Sequence, residues 1–345
     1  MVMVFEFQLT VLQSSIVSFF ISLTLCFTFI KINTNFIQKE NKQKRLSSLN
    51  IIPLGGVAMA TSFFIAVRLL GEAGEKFIYI SLFALAIAFL GVLDDFLNLN
   101  WKIKILFQLI FVSVPIYYLK LFINFENIIG INLNNNLNFI FTTIWIILLM
   151  NSINFTDNMD GFAGLNTSFI CIALSYFSFV YNQNYLADIS FILLFAIFGF
   201  LTLNFPPAKI YMGDSGSLFI GFVLGFISIL FDWNPGDSQF LYSSFAPVFL
   251  FFTIPLLDFI TVFVHRIKNN ISPTTGGTDH ISHRLLSIGK SDRFVLGIFV
   301  IINIIIFTLL SIYILYPNIS ILIFLIYLVF VIYLYFKFSK MNILK

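Results

Sequence analysis

The sequence predicts an all-α integral membrane protein with about eleven transmembrane helices, its N-terminus outside and its C-terminus cytoplasmic. Three observations carry that prediction. Of 345 residues, 59% are hydrophobic and 10% charged, against about 25% charged in an ordinary soluble domain. Mean hydropathy is +0.98, and 47 Phe stand among long Ile and Leu runs, leaving too little polar surface to coat a soluble globule. The Lys and Arg residues fall almost wholly on one side once the apolar runs are counted as helices.

A bilayer crossing takes about 20 apolar residues. On that rule spans fall near 9–30, 49–70, 77–93, 103–120, 138–153, 161–180, 186–203, 215–231, 240–264, 294–315 and 318–336, one polytopic domain over 1–345. Short breaks at 71–76, 181–185 and 316–318 suit hairpins between antiparallel neighbours. The second and eighth spans begin inside Gly-rich polar stretches and are expected to be the least regular. Loops after odd-numbered spans, with the C-terminal tail, hold 16 of the 19 Lys and Arg; Arg68, Lys76 and Lys120 are the others. Basic loops stay in the cytoplasm, and a miscount by one span would scramble this partition. The N-terminal residues carry neither a basic segment nor a small-residue cleavage site, so no removable signal is expected. Cys26 and Cys171 lie within apolar runs, which excludes a disulfide framework or a cysteine metal site.

Four polar motifs interrupt the hydrocarbon, all on the predicted cytoplasmic face, in loops near 94–104, 151–161, 204–217 and 265–293; a fifth loop, 31–48, is basic. The first motif is Leu93-Asp94-Asp95, followed by Lys102 and Lys104. It reads either as a solvated helix end or as a place to hold a metal and a phosphate together. In the second, Asn151, Asn154, Asp157 and Asp160 recur every third residue. On an α-helix that spacing drifts by about 60° per step, and on a 3₁₀ turn it stacks in one line. Two acids beside amide oxygens suit a hard cation such as Mg²⁺. The third motif runs from Asn204-Phe-Pro-Pro-Ala-Lys209 to Met212-Gly-Asp214-Ser-Gly-Ser217. Asp214 is either an ordinary helix cap or, with Lys209, part of a phosphate site at a helix N-terminus. Small residues at 213, 217, 221 and 225 suit close helix packing. The fourth holds His280, His283 and Arg284 beside Gly276 and Gly277. No third nitrogen or sulfur ligand lies nearby for zinc, and imidazoles with an arginine fit a pyrophosphate clamp better. Asp258, inside the ninth span, is either functional or a structural hydrogen-bond partner. Carboxylates for Mg²⁺ with Lys, His and Arg for phosphates on one face suggest phosphoryl transfer at a membrane surface.

In order, spacing and sidedness the four motifs resemble the polyprenyl-phosphate N-acetylhexosamine-1-phosphate transferases (MraY/WecA-like), over nearly the whole chain. The resemblance implies a Mg²⁺-dependent enzyme of the bacterial inner membrane. Such an enzyme moves a sugar-1-phosphate from a UDP-sugar to undecaprenyl phosphate, releases UMP, and starts a cell-envelope polysaccharide. Residue by residue, Asp94 and Asp95 match the paired catalytic aspartates, and Asp214 joins them. Lys104 matches a lysine that meets phosphate, and Asn154 and Asp214 match Mg²⁺ positions. Asp157 and Asp160 match the nucleotide-sugar pocket, Lys209 the third motif, and His280, His283 and Arg284 the histidine-rich loop. Two departures stand out: Asn158 where many members have Gly, and Ser282 where peptidoglycan-type members have His. The Asn-Phe-Pro-Pro-Ala-Lys form resembles members that start O-antigen, enterobacterial common antigen or teichoic acid chains, so UDP-GlcNAc or a related UDP-N-acetylhexosamine is expected over the alternative, UDP-MurNAc-pentapeptide. A second copy of the chain is a candidate partner, and nucleic acid is not. The rival class, an ion-coupled transporter, would place its acids near the bilayer midplane, where only Asp258 lies.

Overall fold

The computed structural model of the protein describes residues 2–32, 51–71, 75–123, 133–232, 246–273, 275–341 and 343. Its helices in chain order are α1 (Val2–Lys31), α2 (Gly55–Leu69), α3 (Glu75–Leu97), α4 (Trp101–Leu119), α5 (Asn135–Thr156), α6 (Phe162–Val180), α7 (Asn184–Asn204), α8 (Gly213–Leu230), α9 (Ala246–Phe251), α10 (Thr253–Lys268), α11 (Ile281–Leu286), α12 (Asp292–Leu315) and α13 (Ser320–Ser339). Among the described residues, nine of these are long and apolar enough to cross a membrane: α1, α3 to α8, α12 and α13. The expected span at 49–70 is the shorter α2, preceded by non-helical residues 51–54. The expected span at 240–264 is a broken pair, α9 and α10, interrupted at Phe252, and α10 continues to Lys268. Residues 240–245 and, from 33 on, the basic loop 31–48 lie outside the described residues.

One expectation fails in an informative way. The eighth span is not irregular: α8 runs unbroken from Gly213, and residues 215–228 are buried throughout. Its glycines serve close packing rather than unwinding. A Cβ on Gly221 would meet the backbone of Met150, and one on Gly225 the side chain of Ile146, both on α5. Between apolar helices in lipid, small residues gain dispersion contact by letting backbones approach. The first turn of α8 is gripped twice more, because a Cβ on Gly56 of α2 or Gly91 of α3 would collide with the backbone of residues 214–216. Thus α8 sits inside a ring of α2, α3 and α5, with α1 and α6 packed on α7, and α10 on α5. Phe20, Phe27, Tyr117, Tyr118, Ile301, Val329 and Ile332 on α1, α4, α12 and α13 are exposed. Such a surface belongs in hydrocarbon, and the chain is a multi-pass membrane protein.

At one end of the bundle the non-helical residues 51–54 run beside 210–212. Tyr211 N donates to Ile52 O at 3.0 Å, and the first amides of α2, Gly55 N and Gly56 N, donate to Tyr211 O and Met212 O, each at 3.0 Å. These contacts satisfy helix-terminal donors that would otherwise be orphaned. They also fix where Gly213 turns the chain into α8. All four polar motifs lie at this end.

Candidate active site

The corner between α3 and α4 is tight. Asn98 adopts a left-handed φ of 50°, Asp94 Oδ1 accepts from Leu99 N at 2.9 Å, and the Asn100 side chain caps α4 by accepting from Lys102 N at 3.0 Å. This geometry brings Lys104 Nζ to 2.7 Å from Asp94 Oδ2. The same ammonium is paired with Asp214 on the first turn of α8. From α5, Asn154 Nδ2 donates to Asp214 Oδ1 and to Ser217 Oγ, both at 2.8 Å. Four helices therefore deliver Asp94, Lys104, Asn154 and Asp214 to one point, as the sequence motifs led one to expect.

Asp95 does something else. Its carboxylate accepts from Asp214 N at 3.1 Å, with Ser215 N at 3.5 Å, and so caps α8 from the neighbouring helix. The N-cap residue Met212 makes no side-chain cap bond, so Asp214 is not an ordinary cap; its side chain is spent on Lys104 and Asn154. The amides at the start of α8, read from sequence as a ready phosphate site, are engaged by a carboxylate, which also suits the positive end of the helix dipole.

The second motif stays helical through Thr156, with Asp157 at the C-cap. Asn151, Asn154, Asp157 and Asn158 all line the cavity described below. Asp160 points elsewhere: its Oδ2 accepts from Ala208 N at 2.9 Å. Beside it, Gly161, whose φ is 73°, donates its N–H to Asn204 Oδ1 at 3.0 Å. Asn204 Nδ2 in turn donates to Ile210 O at 2.8 Å. Asp160 and Asn204 thus staple the second motif to the third. Lys209 is exposed and lies outside the cavity lining.

Of the fourth motif's His280, His283 and Arg284, only His280 lines the cavity, together with Gly276 and Gly277. The Nδ1 of His280 lies 2.9 Å from Oδ2 of Asp258, whose Oδ1 accepts from Ile281 N at 2.8 Å. His283 is 1% exposed and its Nε2 lies 3.0 Å from Asn158 O. Burial, with the neighbouring His280, pushes its pKa down to about 4. Arg284, also 1% exposed, donates to Asp279 O at 2.8 Å and to the carbonyls of Phe338, Ser339 and Met341 at 3.3–3.4 Å. It caps the C-terminus of α13, where a cation complements the dipole. As expected clamp residues, His283 and Arg284 are therefore not at hand; they hold the loop that carries His280.

Sequence reasoning passed over Arg266. Phe259, Phe263 and Arg266 stand at i, i+4 and i+7 of α10 and so share one helix face. All three line the cavity. That stripe, ending in a cation, was the signal available. Arg266 is 2% exposed, grips Asp279 through Nε and Nη2 at 2.9 and 2.8 Å, and donates to Pro273 O at 2.9 Å. Its guanidinium lies 5.7 Å from the Phe155 ring centroid. Burial alone would raise the Asp279 carboxyl, but the two Arg266 bonds hold it below the usual range.

These groups enclose a cavity of about 650 Å³. Its polar end holds Asp94, Asp95, Lys104, Asn154, Asp157, Asp214, Arg266 and His280. Its apolar wall is Ile105 and Leu109 of α4, Ile144, Ile147 and Leu148 of α5, and Phe259 and Phe263 of α10. The described residues contain no group of three or more His, Cys, Asp or Glu set to hold a metal. Mg²⁺ does not demand such a cage, because it keeps several waters and shares substrate phosphates with one or two carboxylates. Asp94 and Asp214, already converging on one ammonium, with the Asn154 amide alongside, fit that requirement.

The sequence profile of glycosyl transferase family 4 matches residues 77–232, from α3 through α8. A Bacillus subtilis (strain 168) protein described as a probable undecaprenyl-phosphate N-acetylglucosaminyl 1-phosphate transferase is 31% identical over 250 residues, 70% of this chain and 67% of that protein. A Thermotoga maritima undecaprenyl-phosphate alpha-N-acetylglucosaminyl 1-phosphate transferase is 29% identical over 280 residues, 80% of this chain and 81% of its own. A phospho-N-acetylmuramoyl-pentapeptide-transferase of Wolbachia sp. subsp. Drosophila simulans is 30% identical over 235 residues, 63% of this chain and 70% of that protein. The profile covers the helices that deliver Asp94, Lys104, Asn154 and Asp214 to one point, and the alignments extend beyond it: the chain belongs to glycosyl transferase family 4, the MraY/WecA-like polyprenyl-phosphate sugar-1-phosphate transferases.

Proposed function

We propose that this protein transfers N-acetylglucosamine-1-phosphate from UDP-GlcNAc to undecaprenyl phosphate, releasing UMP and starting a cell-envelope polysaccharide. The observation that carries the reading is the cavity's two-sided character. An Asp94–Lys104–Asp214 cluster stands at the end of a wall of Ile, Leu and Phe side chains, so an isoprenoid tail and its phosphate find matching surfaces in one space. An oxygen of the lipid phosphate attacks the sugar-linked phosphorus of the donor. A new P–O bond forms, the bond to the bridging oxygen breaks, and UMP leaves with that oxygen. A phosphate monoester is already anionic at neutral pH, so no strong base is required, and catalysis rests on positioning and charge neutralisation.

Formal charges at the cluster sum to −1, from two carboxylates and one ammonium, before any phosphate enters. That balance argues for a divalent cation held by Asp214, Asn154 and Asp94. When bound, Mg²⁺ would neutralise the diphosphate and template the two reactants. Lys104 then meets phosphate, Arg266 and His280 face the donor from the opposite wall, and Asp157 contributes to the nucleotide-sugar pocket. Asp95 borders the cavity while capping α8, and Asp160, Lys209, His283 and Arg284 act behind or beside it. We read all eleven segments as spans, with the N-terminus outside and the site facing the cytoplasm of a bacterial inner membrane. Support comes from the 16 of 19 basic residues assigned to that side.

Membranes containing the protein, given labelled UDP-GlcNAc and undecaprenyl phosphate, should form a lipid-linked pyrophosphate sugar and release UMP. EDTA should abolish the reaction and added Mg²⁺ restore it. A panel including UDP-MurNAc-pentapeptide tests the sugar; no lipid product with any donor would overturn the assignment.

A further inference from the structure

Asp258 is 0% exposed and belongs to α10, one residue before the cavity-lining Phe259. An ionisable group buried among helices of a membrane protein is costly and is retained only with partners. Its partners here are specific. Oδ1 accepts the backbone N–H of Ile281, the first residue of α11, at 2.8 Å, while Oδ2 lies 2.9 Å from His280 Nδ1. These two bonds fix both the backbone that carries His280 and the rotation of its ring, and Asn158 Nδ2 stands farther off, 3.5 Å from the same Oδ2. Phe155 packs edge-on against that ring, with centroids 5.6 Å apart, and closes off another direction of swing. With Nδ1 turned to Asp258, Nε2 is the nitrogen left to meet a ligand, and His280 lines the cavity. A carboxylate accepts but cannot donate, so Nδ1 must carry a proton; in a histidine site the hydrogen bond at one nitrogen sets the role of the other.

We infer that Asp258 is a positioning residue for the transfer reaction: it holds His280 with Nδ1–H toward itself and Nε2 toward the donor's diphosphate. This rests on the transferase reading for its activity readout, but the tautomer it asserts does not. Arg266 and Asp279 satisfy each other at 2.9 and 2.8 Å and leave this role to Asp258.

Asp258→Asn is the informative change. The amide oxygen still accepts from Ile281 N, so the loop keeps its anchor, while the NH₂ group confronts Nδ1 as a donor and forces the proton off it. The chain has three His, so ¹⁵N-histidine spectra in detergent, with His280→Gln to identify the signal, report the tautomer directly. Wild type should show a protonated His280 Nδ1 and the Asn variant an unprotonated one. Turnover should fall by about ten- to a hundredfold, the usual effect of losing the group that orients a functional histidine, with Asp258→Glu retaining part of it. The double variant Asp258→Asn/His280→Gln should be no slower than His280→Gln alone, because coupled residues are not additive. An unprotonated Nδ1 in wild type would overturn the inference, as would wild-type turnover in Asp258→Asn or fully additive losses. If Asp258→Asn does not fold, the wild-type spectrum and the Glu variant still decide the matter. If wild type makes no lipid product while the spectra behave as stated, the transferase reading fails and the Asp258–His280 pairing stands.

Discussion

Asp94 and Asp95 are neighbours in sequence with different work in space, and substitution should separate them. Asp95→Ala removes the acceptor for Asp214 N at 3.1 Å and for Ser215 N at 3.5 Å. The first contact is a good hydrogen bond and the second is marginal by distance. Leaving one buried amide unsatisfied costs about 1–3 kcal/mol, and losing an anion at a helix N-terminus adds about 0.3–1 kcal/mol. A loss of roughly 1.5–4 kcal/mol of stability is expected. Asp94→Asn keeps an oxygen for Leu99 N and should change stability little while abolishing turnover. The protein supplies its own reporter, since Cys26 and Cys171 are both free and buried. A thiol-reactive fluorophore in detergent will read unfolding as those thiols emerge. Asp95→Ala should melt well below wild type, and Asp94→Asn close to it. Equal melting of wild type and Asp95→Ala, or a large drop only in Asp94→Asn, would refute the division of labour.

Three further outcomes follow from the geometry. His283 has a folded pKa lowered to about 4, beneath its ordinary value of about 6.5. Between those values the unfolded chain binds more protons than the folded one, so stability is full above about pH 6.5 and is lost as pH falls toward 4. Asp279, held low by Arg266, adds to the loss in the same direction at the acid end. The full His283 effect is about 3 kcal/mol at most. His283→Gln, which keeps a donor for Asn158 O, should flatten the melting profile across that window; an unchanged slope would be evidence against it. Arg284→Ala should destabilise by about 2–4 kcal/mol, from the loss of charge-assisted bonds to buried carbonyls, and Arg284→Lys should recover little because an ammonium lacks the planar fork. Gly56→Val should lower both the thermal midpoint and turnover, because the added atoms meet the backbone of Ser215 and Gly216 and push on the turn that holds Asp214; overpacking of this kind costs about 1–3 kcal/mol or more.

Much of the fold was legible because hydrocarbon is an unambiguous solvent. A crossing helix needs an apolar run of known length, and α3 to α8, α12 and α13 lie where such runs stand. The shortened α2 and the broken α9–α10 pair were less legible, since run length is silent about where the backbone pairs with another loop or breaks. The convergence of Asp94, Lys104, Asn154 and Asp214 was also legible, as polar islands on one face of the membrane. What the sequence left undivided was each island's internal labour. Asp94 and Asp95, or His280, His283 and Arg284, stand close together in sequence, and only packing tells that Asp94 meets Lys104 while Asp95 caps α8, or that His280 alone of the last three lines the cavity. Arg266 was hidden by its position at a helix end, where a cation reads as a membrane-boundary charge.

Asn158 and Ser282, the two positions where the motif resemblance is incomplete, sharpen the same point. They stand 124 positions apart, and in the folded protein Ser282 Oγ donates to Asn158 Oδ1. The Asn158 amide reaches Phe155 O at 2.6 Å and Asp258 Oδ2 at 3.5 Å, and its carbonyl faces His283. A glycine at 158 would leave the Ser282 hydroxyl, 0% exposed, without this acceptor, and a histidine at 282 would have to fit the volume that the serine and the asparagine share. The two unusual residues are therefore one contact, and it joins the second motif to the loop whose orientation Asp258 controls. Asn158 also lines the cavity, so the side of the site that carries this contact is the side on which His280 is held.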